Sequence, residues 1–328
     1  MIPSKTLSLI TTFGCNANCA HCSVFSGPKR TDEMPAELIR SLIDQAAADP
    51  EIDMVAYTGG EPTLAFDALV DHMAYAWDKG LLAGLVSNSG WAASPEVARS
   101  RFDQMTARGL SIYITSVDEY HLEFVDLTHI QTAIRAALDF GVEVHVNLLW
   151  TPGFEAQIRD LPATLALPAH VIDAKGAEGL YVWINRPSRM RRVKGDIPQG
   201  PLPVIDERVA LPCDHINRHP IVAANGNVHM CCGVADSSPQ GPAMFSVVGN
   251  ANEASLDDLL ARGRGNLFFN MLAKLGPYRV YQMVREMTPL SLQDDDFCNA
   301  CEVCARMQKP DMKPHLLRLL EGLTSQVG

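Results

Sequence analysis

Residues 6–23 read TLSLITTFGCNANCAHCS: an apolar, β-branched run that breaks at Gly14 into a short loop carrying Cys15, Cys19 and Cys22. Three thiolates at this density suit a soft metal site. Placed around a four-iron cluster they would leave one iron without a protein ligand, and an open iron can bind a reactant. His21 stands directly before the last cysteine. The same loop therefore also offers a Cys3His set for a single zinc ion.

Working outward, the run at 6–12 is the first of six short apolar or β-branched segments, at 6–12, 54–58, 82–87, 110–116, 142–149 and 180–185. Helical patterns lie between them, at 35–48, 66–79, 95–108 and 127–140, with a weaker one after Pro152. Pro35 and Pro95 open two of these helices, and Gly80, Gly109 and Gly141 close three. Strand and helix in alternation predict an α/β fold with a parallel sheet. In such folds the chemistry sits at the carboxyl ends of the strands. The cysteine loop obeys that rule, and so does Gly59-Gly60-Glu61-Pro62 after the second strand. Two glycines there let backbone approach a ligand closely, and the proline fixes the exit of the turn. The plainer reading of this turn is a tight strand-to-helix connection.

CxxxCxxC at Cys15, Cys19 and Cys22, followed some forty residues later by GGEP at Gly59, Gly60, Glu61 and Pro62, resembles the radical S-adenosylmethionine (SAM) superfamily. The resemblance implies a partial (β/α)6 TIM-like barrel and a SAM-binding 4Fe-4S cluster on the three cysteines. It also implies a GGEP turn that cradles the amino group of SAM. Polar residues at the other strand ends would then hold the ribose and carboxylate of SAM: Ser87, Asn88, Ser116, Asp118 and Asn147. Such residues also serve as turn formers or helix caps. Asp118 leads that set, and Glu119, Tyr120 and His121 continue its loop toward substrate. His121 can shuttle a proton near neutral pH, or be an ordinary surface histidine.

After Asn185 a Pro-, Gly- and Arg-rich stretch reads as a connector. Its basic run, Arg186, Arg189, Arg191, Arg192 and Lys194, can clamp a carboxylate or phosphate, or simply be solvated. Cys213, Gly226 and Cys231 then follow with twelve and four residues between them, with Cys232 adjacent and Cys298, Cys301 and Cys304 downstream. This resembles the SPASM and twitch extensions of radical SAM enzymes, which carry auxiliary iron–sulfur clusters. A full SPASM pattern has seven cysteines and this stretch has six. The resemblance implies one auxiliary 4Fe-4S cluster on Cys213, Cys231 and two or three of Cys298, Cys301 and Cys304. Cys232 is then a structural thiol, an alternative ligand, a hydrogen-atom donor to a substrate radical or a ligand of a second, incomplete cluster. Asn225 and Gly226 signal a hairpin that brings Cys213 and Cys231 together. A zinc ribbon is the competing reading of the tail. The predicted organisation is a barrel over 1–185, a connector over 186–212, an auxiliary-cluster domain over 213–310 and a terminal helix over 311–328. Leu316, Leu317, Leu320 and Leu323 give that last helix an apolar face for packing against the barrel.

The composition fits a compact protein: 328 residues, 47% hydrophobic and 20% charged. Its net charge of −11 disfavours nucleic acid and anionic membranes as partners. The first ten residues lack a signal peptide's plan and no apolar run reaches membrane-span length, so a cytoplasmic location is expected. Nine cysteines there argue for metal or redox chemistry. The expected function is oxidative modification of a peptide, with a reductant such as flavodoxin or ferredoxin. Because the first strand begins within ten residues, a separate peptide-recognition protein is expected as a partner. The alternatives are a twitch-type dehydrogenase of a small metabolite such as a sugar alcohol, a zinc-stabilised non-catalytic binding protein, and an electron carrier.

Overall fold

The computed structural model describes residues 5–172, 179–185, 211–231, 247–286, 297, 299–307 and 310–325. Cys232, Cys298 and the basic run at 186–194 lie outside the described residues. Six parallel strands alternate with helices in the first half: β1 (Lys5–Thr12), α1 (Ala36–Ala48), β2 (Ile52–Gly59), α2 (Phe66–Asp78), β3 (Leu82–Val86) and α3 (Pro95–Thr106). They continue with β4 (Leu110–Val117), α4 (Glu119–Leu122), α5 (Leu127–Asp139), β5 (Glu143–Leu149), the short α6 (Glu155–Arg159) and α7 (Leu161–Leu165), and β6 (Leu180–Asn185). The predicted strands and helices are all present, shifted by at most two residues at either end. The sheet is open, as expected of a partial barrel.

Local chemistry explains the elements. In α1 the buried residues Ile39, Leu42, Ile43 and Ala46 fall on one helical face, and Ile130, Ala133, Ile134 and Ala137 do the same in α5. Ser94 and Asp126 cap α3 and α5 by accepting backbone N–H groups. Gly80, Gly109 and Gly141 end α2, α3 and α5 at φ of 84°, 82° and 71°, where a side chain would be strained.

Strand alternation divides the sheet into two faces. Val144, Val146 and Leu148 are buried on the helix side of β5, and on β2 Tyr57 donates its hydroxyl to the α2 carbonyl of His72 at 2.9 Å. Phe102 of α3 is fully buried, edge-on to Tyr113 of β4 with ring centroids 5.1 Å apart. The opposite, inner face carries the intervening residues. Ser116, Asn147 and Trp183 occupy one register row across β4, β5 and β6 there, and Ile114, His145 and Tyr181 the row below.

The second half continues the same sheet. β7 (Ile221–Val222) pairs parallel with β1, and β8 (Asn227–His229) and β9 (Val247–Asn250) add antiparallel strands, giving the order β6-β5-β4-β3-β2-β1-β7-β8-β9. The predicted hairpin forms, with Gly226 at φ 87° in its turn. Asn250 donates from Nδ2 to the Asn225 carbonyl at 3.0 Å, so β9 buttresses that turn. Helices α8 (Leu256–Arg264), α9 (Leu267–Leu275), α10 (Pro277–Glu286), α11 (Ala300–Met307) and α12 (Lys313–Thr324) complete the chain. The expected amphipathic helix is α12, with Leu316 and Leu319 buried, and it packs on α10. Its leucines therefore find a partner in the second half of the chain, whereas sequence reading expected them to pack on the barrel of the first half.

Truncating Phe102 to Ala should open a cavity between α3 and β4 and lower unfolding stability by about 3–5 kcal/mol, measured by denaturant titration.

Candidate active site

The cysteine loop leaves β1 and closes on itself. Phe13 N–H donates to the Asp32 carbonyl at 2.9 Å, Gly27 N–H to Phe13 at 3.2 Å and Cys15 N–H to Gly27 at 3.3 Å. The GGEP turn then locks onto it from β2. Gly60 N–H donates to the Thr12 carbonyl at 2.7 Å and Glu61 N–H to the Gly14 carbonyl at 2.9 Å. A Cβ on Gly59, itself at φ 144°, would lie 2.3 Å from the Thr12 oxygen, and one on Gly60 would lie 1.9 Å from the Gly14 oxygen. The two glycines thus serve a close approach between two stretches of this chain. Sequence reading had assigned that approach to a ligand.

Glu61 is 1% exposed and its carboxylate is saturated from within. It accepts from Thr63 N–H at 3.1 Å, Thr63 Oγ1 at 2.6 Å, Ser87 Oγ at 3.0 Å and Asn88 N–H at 2.7 Å. Burial pushes its pKa above the ordinary carboxylate range, against the pull of those donors. Ser87 is equally committed, since its oxygen also accepts from Trp91 Nε1 at 2.9 Å and Ser89 N–H at 3.1 Å. Asn88 turns toward the cysteine loop, donating from Nδ2 to Asn16 Oδ1 at 2.7 Å with Cys15 Sγ 3.6 Å away. Among the residues expected to touch cofactor, Glu61, Ser87 and Asn88 are therefore tied to one another and to the loop.

The three loop cysteines can hold a cluster. Ala17 N–H points at Cys15 Sγ at 3.4 Å and Ser26 N–H at Cys22 Sγ at 3.3 Å, the donors that anionic sulfur ligands need. Burial pushes Cys15 up to about 11 and Cys19 up to about 12, so deprotonated ligands here require a cationic centre among them. A single tetrahedral zinc would draw its sulfurs to about 3.8 Å from one another. Among the described residues the set of three ligand groups within 4.8 Å of one another is His21, Asp118 and His121, which includes none of these sulfurs. His21 turns toward β4, with Nε2 3.6 Å from Asp118 Oδ2. The donor set fits an iron–sulfur cluster better than a Cys3His zinc.

Asp118 is 2% exposed and caps α4, accepting from the N–H groups of Tyr120 and His121, each at 3.0 Å. Its second oxygen lies 2.7 Å from His121 Nδ1. Burial pushes this carboxyl up, but the His121 hydrogen bond and the charges of His121 and His21 outweigh it and hold the pKa below the usual range. His21 also packs against the rings of Tyr120 and His121, with centroids at 4.9 and 4.8 Å. Sequence reading singled out Asp118 and His121, but not the link through His21, which only the meeting of β1 and β4 loops reveals. Ser116 and Asn147 stand on the inner face near the same mouth, in one row with Trp183.

In the second cysteine region Cys213 N–H donates to the Leu272 carbonyl of α9 at 3.1 Å. Burial, and then the Coulomb influence of Cys231, push the Cys213 thiol above its ordinary pKa. Cys301 and Cys304 stand one turn apart on α11. That helix packs on α10, and α10 on α9.

Comparison with known proteins shows what this chain is similar to. Residues 9–161 match the family described as the Radical SAM superfamily. Over 149 residues, 45% of the chain, the sequence is 29% identical to the putative peptide biosynthesis protein YydG of Bacillus subtilis, covering 47% of it. A putative glycyl-radical enzyme activating enzyme, MJ1227 of Methanocaldococcus jannaschii, is 28% identical over 124 residues, 38% of this chain and 49% of that one. The chain thus spans about half the length of the curated relatives it matches. In fold it resembles Streptococcus suis SuiB, solved with the precursor peptide SuiA, at a TM-score of 0.58 and 13% identity, over 93% of this chain and 76% of SuiB.

Replacing Gly60 by Ala should force the turn off the cysteine loop, costing about 1–3 kcal/mol and lowering the iron retained after anaerobic reconstitution. Gly80→Ala is the control: its Cβ meets nothing within 4 Å although φ is 84°. It should lose about 1–2 kcal/mol from backbone strain alone and keep its iron.

Proposed function

We propose that this chain, whose residues 9–161 match the Radical SAM superfamily, is a radical SAM enzyme that oxidatively modifies a peptide. The reading is carried by the cysteine loop and the GGEP turn locked together at the carboxyl ends of β1 and β2. The likeness to a protein named for peptide biosynthesis supports the substrate class. Cys15, Cys19 and Cys22 would hold the SAM-binding 4Fe-4S cluster, and Cys213, Cys231 and two or three of Cys298, Cys301 and Cys304 an auxiliary one. When bound, these groups supply an electron that splits SAM to a 5′-deoxyadenosyl radical, and a sink for the electron left on substrate once its hydrogen atom is gone.

The chain's own residues position and deprotonate. Asn88 fixes the loop through Asn16 and faces Cys15. Glu61 ties the end of β2 to the start of the β3 loop, so the two walls of the SAM site cannot separate. Ser116 and Asn147 present polar groups to the nucleotide from the inner face. Asp118 holds the Nδ1 side of His121, leaving Nε2 to take a proton from the substrate as it is oxidised. One hydrogen atom, one proton and one electron leave, which balances a two-electron oxidation such as a cross-link or dehydrogenation. Domain limits of 1–185, 186–212, 213–310 and 311–328 suit this division of labour.

The test is anaerobic reconstitution, reduction with SAM and detection of 5′-deoxyadenosine. Changing Cys15, Cys19 and Cys22 to Ala should abolish it, and cleavage that survives refutes the assignment. Incubation with a peptide encoded beside this gene should change the peptide's mass. With His121→Gln, modified peptide should form about 100-fold or more slowly while 5′-deoxyadenosine still accumulates. An equal fall in both would remove His121 from the proton step.

A further inference from the structure

The inner face of β5 and β6 carries a second group of side chains that the reaction above does not use. Trp183 donates its indole N–H to His145 Nδ1 at 3.3 Å. An indole nitrogen can only donate, so Nδ1 accepts and the ring's proton sits on Nε2. That nitrogen lies 2.6 Å from Glu143 Oε1, toward which it donates. Tyr181 packs on the same imidazole, with centroids 4.9 Å apart, and the Trp183 ring lies 6.2 Å away. The chain Trp183–His145–Glu143 holds the indole by its edge. Trp183 is 51% exposed, and the Glu143 side chain 41%. Two β-strands set this arrangement, so it stands ready before any ligand arrives.

The row position says what it faces. Trp183 is in register with Asn147 and Ser116, at the mouth level of the inner face. Aromatic faces attract cations through their negative quadrupole, and the Glu143 carboxylate, on the far side of His145 at the start of β5, adds longer-range Coulomb attraction. The protein's net charge of −11 favours approach of a basic ligand. We infer that Glu143, Tyr181 and Trp183 form a subsite for a lysine or arginine side chain of the substrate peptide. The inference rests on the peptide reading above and adds to it a determinant of which peptide is accepted.

The test uses the full-length, anaerobically reconstituted, SAM-loaded protein and calorimetric titration with blocked pentapeptides, acetyl-Ala-Ala-Xaa-Ala-Ala-amide. With Xaa as Arg or Lys, binding should be about tenfold or more tighter than with Gln or Glu. Glu143→Gln should collapse that preference. Trp183→Ala should weaken the Arg and Lys peptides about tenfold, and Trp183→Phe, which keeps an aromatic face, should restore most of it. Equal binding of all four peptides, or a preference untouched by Glu143→Gln, overturns the subsite. A Trp183→Ala variant that loses SAM binding instead of charge discrimination also overturns it, because the indole would then serve the nucleotide. Formation of 5′-deoxyadenosine is read separately. An enzyme that cleaves SAM without peptide discrimination loses only this inference, and one that cannot cleave SAM loses the functional reading instead.

Discussion

Two backbone hydrogen bonds, from Gly60 to Thr12 and from Glu61 to Gly14, join the ends of β1 and β2. The rest of the site is built on that junction. A pair of parallel strands fixes its own backbone groups along the ladder, but the loops leaving it are free to diverge. Here they do not, because both glycines lack the Cβ that would hold the two chains apart. Once the turn lies against the cysteine loop, the Glu61 carboxylate is buried and must find donors from this chain. It takes them from Thr63, Ser87 and Asn88, which draws the start of the β3 loop into the same unit. Asn88 then reaches Asn16 and faces Cys15. One steric permission at two glycines thus propagates over three strand ends to the sulfur that would ligate iron.

The fourth strand end is tied in by a different device. Asp118 meets His21 of the cysteine loop on one side and His121 of its own helix on the other. A buried carboxylate between two imidazoles keeps its charge because either ring can offset it. The cost of desolvation is met locally and the loop gains a second anchor opposite the GGEP turn. The cysteines are therefore held between β2 and β4 rather than displayed on a free loop. The proposed radical chemistry would need such pre-organisation, since a reactive carbon radical must stay close to one bond and away from water.

Much of this was legible in the sequence, and the reasons are physical. Strand and helix alternate with periods of 2 and 3.6, and prolines and glycines punctuate them, so the six βα units could be placed within two residues. Cysteine spacing and the GGEP turn are local patterns and survive without knowledge of the fold. What could not be read depends on long-range pairing. His21 and Asp118 are ninety-seven positions apart, and nothing in either neighbourhood signals the other. The apolar face of α12 announced that it would be buried, but not that α10 would cover it. Glu61 looked like part of a ligand cradle because a motif gives residue identity, whereas the saturation of its carboxylate is a property of the folded site.

The continuity of the sheet carries one more consequence. β7 pairs with β1 on the side opposite β2, so the hairpin leading to Cys231 extends the sheet alongside the strand that ends in the first cysteine loop. Ser8 and Leu9 are in register with Ile221 and Val222. A displacement of the hairpin along the strand axis would break ladder hydrogen bonds and, at a slip of one residue, turn Val222 and Ile221 to the wrong faces. The two cysteine regions are thus held at a separation set by backbone registry, whereas a flexible connector would allow it to drift. Were both regions to hold the proposed clusters, such a fixed separation would set the distance for electron transfer between them. In this chain it follows from two residues of a short parallel strand.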